Sequence, residues 1–114
     1  MPILESDLII AYFRNIPKAI KMIDKLIQDQ SILRTTIFNV AELYKGAYLS
    51  LKTDEYVRQI TNFLENNTII PFTLEDAITY RNISAKLRNK GKSIGDFDEL
   101  IASIAINNDE TIYH

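Results

Sequence analysis

The sequence predicts an α/β fold of three layers, α/β/α, around a central parallel sheet of about four strands. Three observations carry this. Short apolar or β-branched runs alternate with longer segments whose apolar residues recur every three or four positions. No two strand-like runs are adjacent, so a helical crossover joins each pair, as parallel pairing requires. The chain has 114 residues, enough for one core and too few for two. Residues 1–114 are therefore expected to form a single domain.

The elements follow in order. Residues 3–5 begin a short apolar strand, and Ser6 is placed to cap a helix with Leu8, Ile9, Tyr12 and Phe13 on one side. Pro17 suits the first turn of a second helix, where Ile20, Ile23, Leu26 and Ile27 form a stripe. Residues 32–37 are rich in β-branched side chains and predict a second strand. Asn39 then opens a third helix with Ala41, Tyr44, Ala47 and Tyr48 on its apolar side. Thr53 or Asp54 caps a fourth, striped by Val57, Ile60, Phe63 and Leu64 and ended by Asn66 and Asn67. Residues 68–72 form a third strand. Thr73 caps a fifth helix through Ala77, Ile78, Ile83 and Leu87, closed near Gly91. The last helix runs over residues 96–107, and residues 111–113 start a fourth strand.

Composition bounds the chemistry. Hydrophobic residues make up 46% and charged residues 25% of the chain, as in ordinary globular domains. There is no cysteine and the single histidine is His114, which excludes thiolate and multi-histidine metal sites. Any metal must be held by oxygen, which favours Mg²⁺ or Mn²⁺. The amino terminus lacks a basic segment before its apolar run, so neither a signal peptide nor a membrane span is expected, and a cytoplasmic protein is. The net charge of −2 argues against nucleic-acid binding by bulk electrostatics alone.

Four acids fall at strand-to-helix junctions. Glu5 ends the first strand, Glu42 follows the second, and Asp96 and Asp98 open the last helix. In a parallel sheet these junctions share the carboxyl edge, where ligands bind. Each acid alone has a plainer explanation: Asn39–Glu42 and Asp96–Glu99 are spaced as capping boxes, and Glu5 could end an edge strand in solvent. Crowded carboxylates repel one another, and a divalent cation relieves that repulsion. Together the four predict a metal site. Asp24, Asp29, Asp54, Glu55 and Glu65 are expected on exposed helix faces or ends.

The residues around these acids match a known family. Leu4-Glu5-Ser6-Asp7-Leu8-Ile9-Ile10 resembles the opening Asp-Thr-Asn motif of PIN domains. Asn39-Val40-Ala41-Glu42-Leu43-Tyr44 resembles their second motif, and Ile94-Gly95-Asp96-Phe97-Asp98-Glu99-Leu100-Ile101-Ala102 their third. Within the family the resemblance is to VapC-like toxins. It implies a PIN-like domain with a metal-dependent endoribonuclease activity, holding Mg²⁺ or Mn²⁺ through Glu5, Glu42, Asp96 and Asp98. It also implies RNA as substrate, a small antitoxin protein as partner, and a homodimer.

Two departures stand out. Glu5 replaces the family's Asp and is one methylene longer, while Asp7 replaces its Asn and could supply reach. The family continues past its fourth strand, so this chain is expected to lack the C-terminal loop and last strand. Asp109 and Glu110 precede the strand, and His114 falls near the correct edge. Lys45, Arg88, Lys90 and Lys92, with Arg14, are candidates for holding phosphates. Tyr12, Tyr44 and Tyr48 are candidates for base stacking, core packing or a dimer interface. Surplus apolar residues at Ile10, Tyr12, Phe13 and Ile16 suit an interface. Alternatives are a non-catalytic PIN-like module binding RNA or protein, and a metal-dependent phosphatase or DNA nuclease.

Overall fold

The computed structural model describes residues 3–30, 32–92, 94–108 and 112–113. Its elements are β1 (Ile3–Leu4), α1 (Ser6–Phe13), α2 (Pro17–Gln30), β2 (Arg34–Thr36), α3 (Ile37–Tyr48) and α4 (Thr53–Glu65). They continue with β3 (Thr68–Ile70), α5 (Leu74–Asn89), α6 (Asp96–Asn107) and β4 (Ile112–Tyr113). The strands form one sheet in the order β3-β2-β1-β4, and every pairing is parallel. The expected α/β class and sheet are observed.

The two residues of β1 show why three layers form. Successive strand side chains point to opposite faces. Leu4 turns into a cluster with Leu8, Ile9, Ile23, Leu43 and Ile60, built from α1, α2, α3 and α4. Ile3 turns the other way, towards Ile70, Ile104 and Ala105. Ile3, Leu4, Ile9, Ile23 and Ile104 are each 0% exposed, and burying one such side chain contributes about 1.5–3 kcal/mol. In α2 the buried stripe is Ala19, Ile23 and Leu26, while Ile27 is exposed.

Several boundaries differ from expectation, each for a local reason. Ser6 is not a cap: Glu5 is the N-cap of α1, and Ser6 is its first helical residue. Glu5 accordingly lies just past β1 rather than in it. The second strand is shorter because Thr36 caps α3 with its side chain, accepting the Asn39 N–H at 3.2 Å. Asn39 thus lies inside the helix. The buried side of α3 is Asn39, Val40, Leu43 and Ala47, leaving Ala41 and Tyr48 exposed. Both stripes have helical spacing, and the bulkier aliphatic one faces the core.

Neither Thr53 nor Asp54 caps α4. Lys52 is its N-cap, and the Thr53 hydroxyl donates to the Ser50 carbonyl at 2.9 Å. Pairing of β3 stops at Ile70 because Pro71 has no N–H to continue the ladder. Thr73 does cap α5, with Asp76 reciprocating in a full capping box. Ile10, Tyr12 and Phe13 pack against the core, so of the proposed surplus only Ile16 is exposed. Asp24, Asp29, Asp54, Glu55 and Glu65 are exposed as expected.

Candidate active site

The strand order reverses at β1: the chain steps outward to β2 and β3, then returns to set β4 on the other side. Crevices at such reversals, beyond the carboxyl ends of strands, are where open α/β sheets bind ligands. Glu5 stands there, half buried, and its side chain does not cap its own helix.

The first turn of α1 is capped from α3 instead. Asn39 is 0% exposed. Its Oδ1 accepts the Ser6 backbone N–H at 3.2 Å, and its Nδ2 donates to Thr36 Oγ1 at 2.9 Å. One turn on, Glu42 Oε1 accepts the Ser6 hydroxyl at 3.1 Å. Helix spacing of three residues puts Asn39 and Glu42 on one face. The capping-box explanation of Glu42 therefore fails, since Thr36 fills that role and Glu42 is turned to the β1–α1 junction.

The acids of α6 separate. Gly95 is the N-cap, so Asp96 is the first helical residue and the Asp96–Glu99 capping box is not formed. Gly95 has φ of 110°, a conformation natural only to glycine. Asp98 Oδ2 lies 3.9 Å from where a Cβ on Gly95 would stand. Asp96 Oδ1 accepts the Tyr80 hydroxyl of α5 at 3.3 Å. Glu99 is buried, 1% exposed.

Aromatic packing seats this turn on α3. The Phe97 and Phe38 rings lie 5.5 Å apart, and Phe38 meets Phe72 edge-on at 5.1 Å. Phe97 also borders an open groove of about 370 Å³ with Ala41, Glu42, Lys45, Gly46 and Leu49. Glu5 and Glu42 are thus linked through Ser6, and the turn bearing Asp98 docks beside Glu42. Asp96 is tied to α5.

Among the described residues, no three acids converge closely enough to hold a metal ion as the side chains stand. Their chemistry nonetheless fits one class of ion. The donors are all oxygen, cysteine is absent, and such sets suit Mg²⁺ or Mn²⁺. Asp98 is exposed and Glu42 half buried.

Lys45, Arg88, Lys90, Lys92 and Arg14 are all exposed. Tyr12 and Tyr44 pack against the core, whereas Tyr48 is exposed. Asp7 is exposed in the first turn of α1. Asp109, Glu110 and His114 lie outside the described residues. Ser6, Asn39, Tyr80 and Phe97 were not singled out for the site from sequence. The spacing Thr36-x-x-Asn39 held the available signal, because it offers a better cap three residues before Asn39.

The chain matches the PIN domain family over residues 3–112. It is 29% identical over 102 residues to Ribonuclease VapC2 of Haemophilus influenzae, covering 90% of this chain and 76% of that one. Among solved structures, VapBC2 from Rickettsia felis bound to a DNA fragment from their promoter gives a TM-score of 0.85 at 25% identity, covering 96% and 83%. FitAcB from Neisseria gonorrhoeae gives 0.87 at 25% identity, covering 98% and 85%.

Proposed function

This chain belongs to the PIN-domain family, and on that premise we propose that it is a VapC-like toxin ribonuclease of a type II toxin–antitoxin pair. It cleaves RNA endonucleolytically with Mg²⁺ or Mn²⁺. One observation carries the reading: Glu5 and Glu42 flank Ser6 at the point where the strand order reverses. The ribonuclease relative supports it further.

Asp98, Glu42 and Glu5 would hold the cation, with Asp96 outside this set because Tyr80 engages it. The bound ion would supply charge stabilisation at the phosphate oxygens and an activated water. The chain's own residues do the rest. The Ser6 hydroxyl keeps Glu42 turned to the junction, and Lys45 holds a phosphate beside Glu42. Arg88, Lys90 and Lys92, before α6, hold phosphates further along the strand.

A small antitoxin protein is the proposed partner and a homodimer the proposed assembly. Support comes from Tyr48, Leu49 and Leu51, a run of large apolar residues left on the surface where α3 ends. No helix among the described residues is long and apolar enough to cross a membrane.

Purified protein carrying Glu5→Gln and Asp98→Asn should stay folded and lose Mn²⁺-dependent RNA cleavage. Undiminished cleavage would overturn the site. A second reading, a PIN-like module that binds RNA or protein without cutting, is favoured by the open spacing of the acids. Calorimetry with Mn²⁺ separates the two, because only the nuclease needs to take up the ion.

A further inference from the structure

We propose that Asn39 is a positioning residue that fixes Glu5 relative to Glu42. The inference rests on the metal-site reading above and adds a role to a side chain that touches neither ion nor substrate there.

Glu5 is held from both sides by its neighbours in sequence. The carbonyl of Leu4, before it, accepts the Thr35 hydroxyl at 2.7 Å. The N–H of Ser6, after it, donates to Asn39 Oδ1 at 3.2 Å. Both partners are 0% exposed, and both belong to the β2–α3 junction. Asn39 is itself fixed, because its Nδ2 and its backbone N–H both donate to Thr36 Oγ1. Ser6 is 6% exposed, and its hydroxyl reaches Glu42. Asn39 therefore grips the main chain of the residue whose side chain Glu42 grips.

The arrangement separates two tasks usually combined at a helix start. The early N–H groups of a helix have no internal acceptor, and the N-cap side chain commonly serves one of them. Here the N-cap is Glu5, a candidate ligand, and it makes no capping bond. A residue of another helix caps in its place. Groups that orient ligands from behind typically alter metal affinity 10–100-fold when removed. Asn39 acts through the main chain of Ser6, the residue between Glu5 and the Glu42 side chain.

The test uses the full chain, Mn²⁺ calorimetry and amide hydrogen exchange read by NMR. In the unaltered protein the Ser6 amide should be protected well beyond that of exposed Asp7. Ser6 exchanging as fast as Asp7 overturns the cap with no variant needed. Asn39→Ala should speed Ser6 exchange and weaken Mn²⁺ binding roughly 10–100-fold, with cooperative unfolding retained. Asn39→Ser, too short to reach Ser6, should do the same and is read if the alanine variant does not fold. Asn39→Asp keeps the acceptor and should restore Ser6 protection. A chain that binds Mn²⁺, beside an Asn39→Ala chain that binds it equally well, overturns the role of Asn39 alone. An unaltered chain that binds no Mn²⁺ overturns the metal reading, and the positioning role with it, whatever the exchange data show.

Discussion

The Tyr80 hydroxyl donates to Asp96 Oδ1 at 3.3 Å, which ties the first acid of α6 to α5. Asp98, two residues on, is exposed with its Oδ2 near Gly95. Two acids that look equivalent in sequence therefore differ in setting. Asp98→Asn should lower kcat/KM for RNA cleavage by about two orders of magnitude or more, the loss of about 2.7 kcal/mol of transition-state stabilisation. Asp96→Asn should cost less than roughly tenfold. Single-turnover cleavage assays on the two variants check the ranking, and equal losses would refute it.

Much of the fold was legible because it depends on period. Strand-like runs separated by helical stripes require parallel pairing, and Thr73 caps α5 as expected, with Asp76 completing the box in the structure. The candidate site was legible only as a set of positions. Asn39 and Ser6 have the residue types of caps, and a linear sequence shows a cap's chemistry without showing whose helix it caps. Asn39 serves a helix 33 residues earlier. Nothing local encodes that. The same ambiguity turned α3, since Val40-Leu43-Ala47 and Ala41-Tyr44-Tyr48 are both helically spaced and tertiary packing chose between them.

Gly95 should resist substitution. Its φ of 110° with ψ of 149° lies in a region essentially reserved for glycine, where another residue costs about 1–3 kcal/mol. Space is not the obstacle, since the nearest atom to an added Cβ is Asp98 Oδ2 at 3.9 Å. Gly95→Ala should therefore lower the urea midpoint, the stability lost matching that backbone cost. Gly46→Ala, within α3 and with nothing within 4 Å of its Cβ, should instead be neutral or stabilising by up to about 1 kcal/mol. Parallel denaturation curves test the pair.

Asp76 joins the start of α5 to the end of α6. Its Oδ2 accepts the Thr73 N–H at 2.9 Å and its Oδ1 accepts Asn107 Nδ2 at 2.7 Å, while the side chain is 2% exposed. Replacing it by alanine breaks the reciprocal cap and strands two donors. Losing part-buried bonds of this kind costs about 1–2 kcal/mol each. Asp76→Ala should thus destabilise the chain by about 2–4 kcal/mol, and Thr73→Ala by about 1 kcal/mol. A smaller effect for Asp76 than for Thr73 in urea unfolding would contradict this ordering.

The cations before α6 should reveal themselves through salt. Arg88, Lys90 and Lys92 are exposed, and no acid lies between Asp76 and Asp96. Each phosphate contact to a single strand contributes about 0.7 to the slope of log affinity against log salt concentration. Converting all three to Gln in the Glu5→Gln/Asp98→Asn background should lower that slope by about 2 for a single-stranded RNA. Lys45→Gln should lower it by about 0.7. The inactive background keeps the RNA intact during titration and separates binding from cleavage. An unchanged slope in the triple variant would show that these residues only balance surface charge. RNA would then enter the site along α3, through the groove bordered by Lys45 and Phe97.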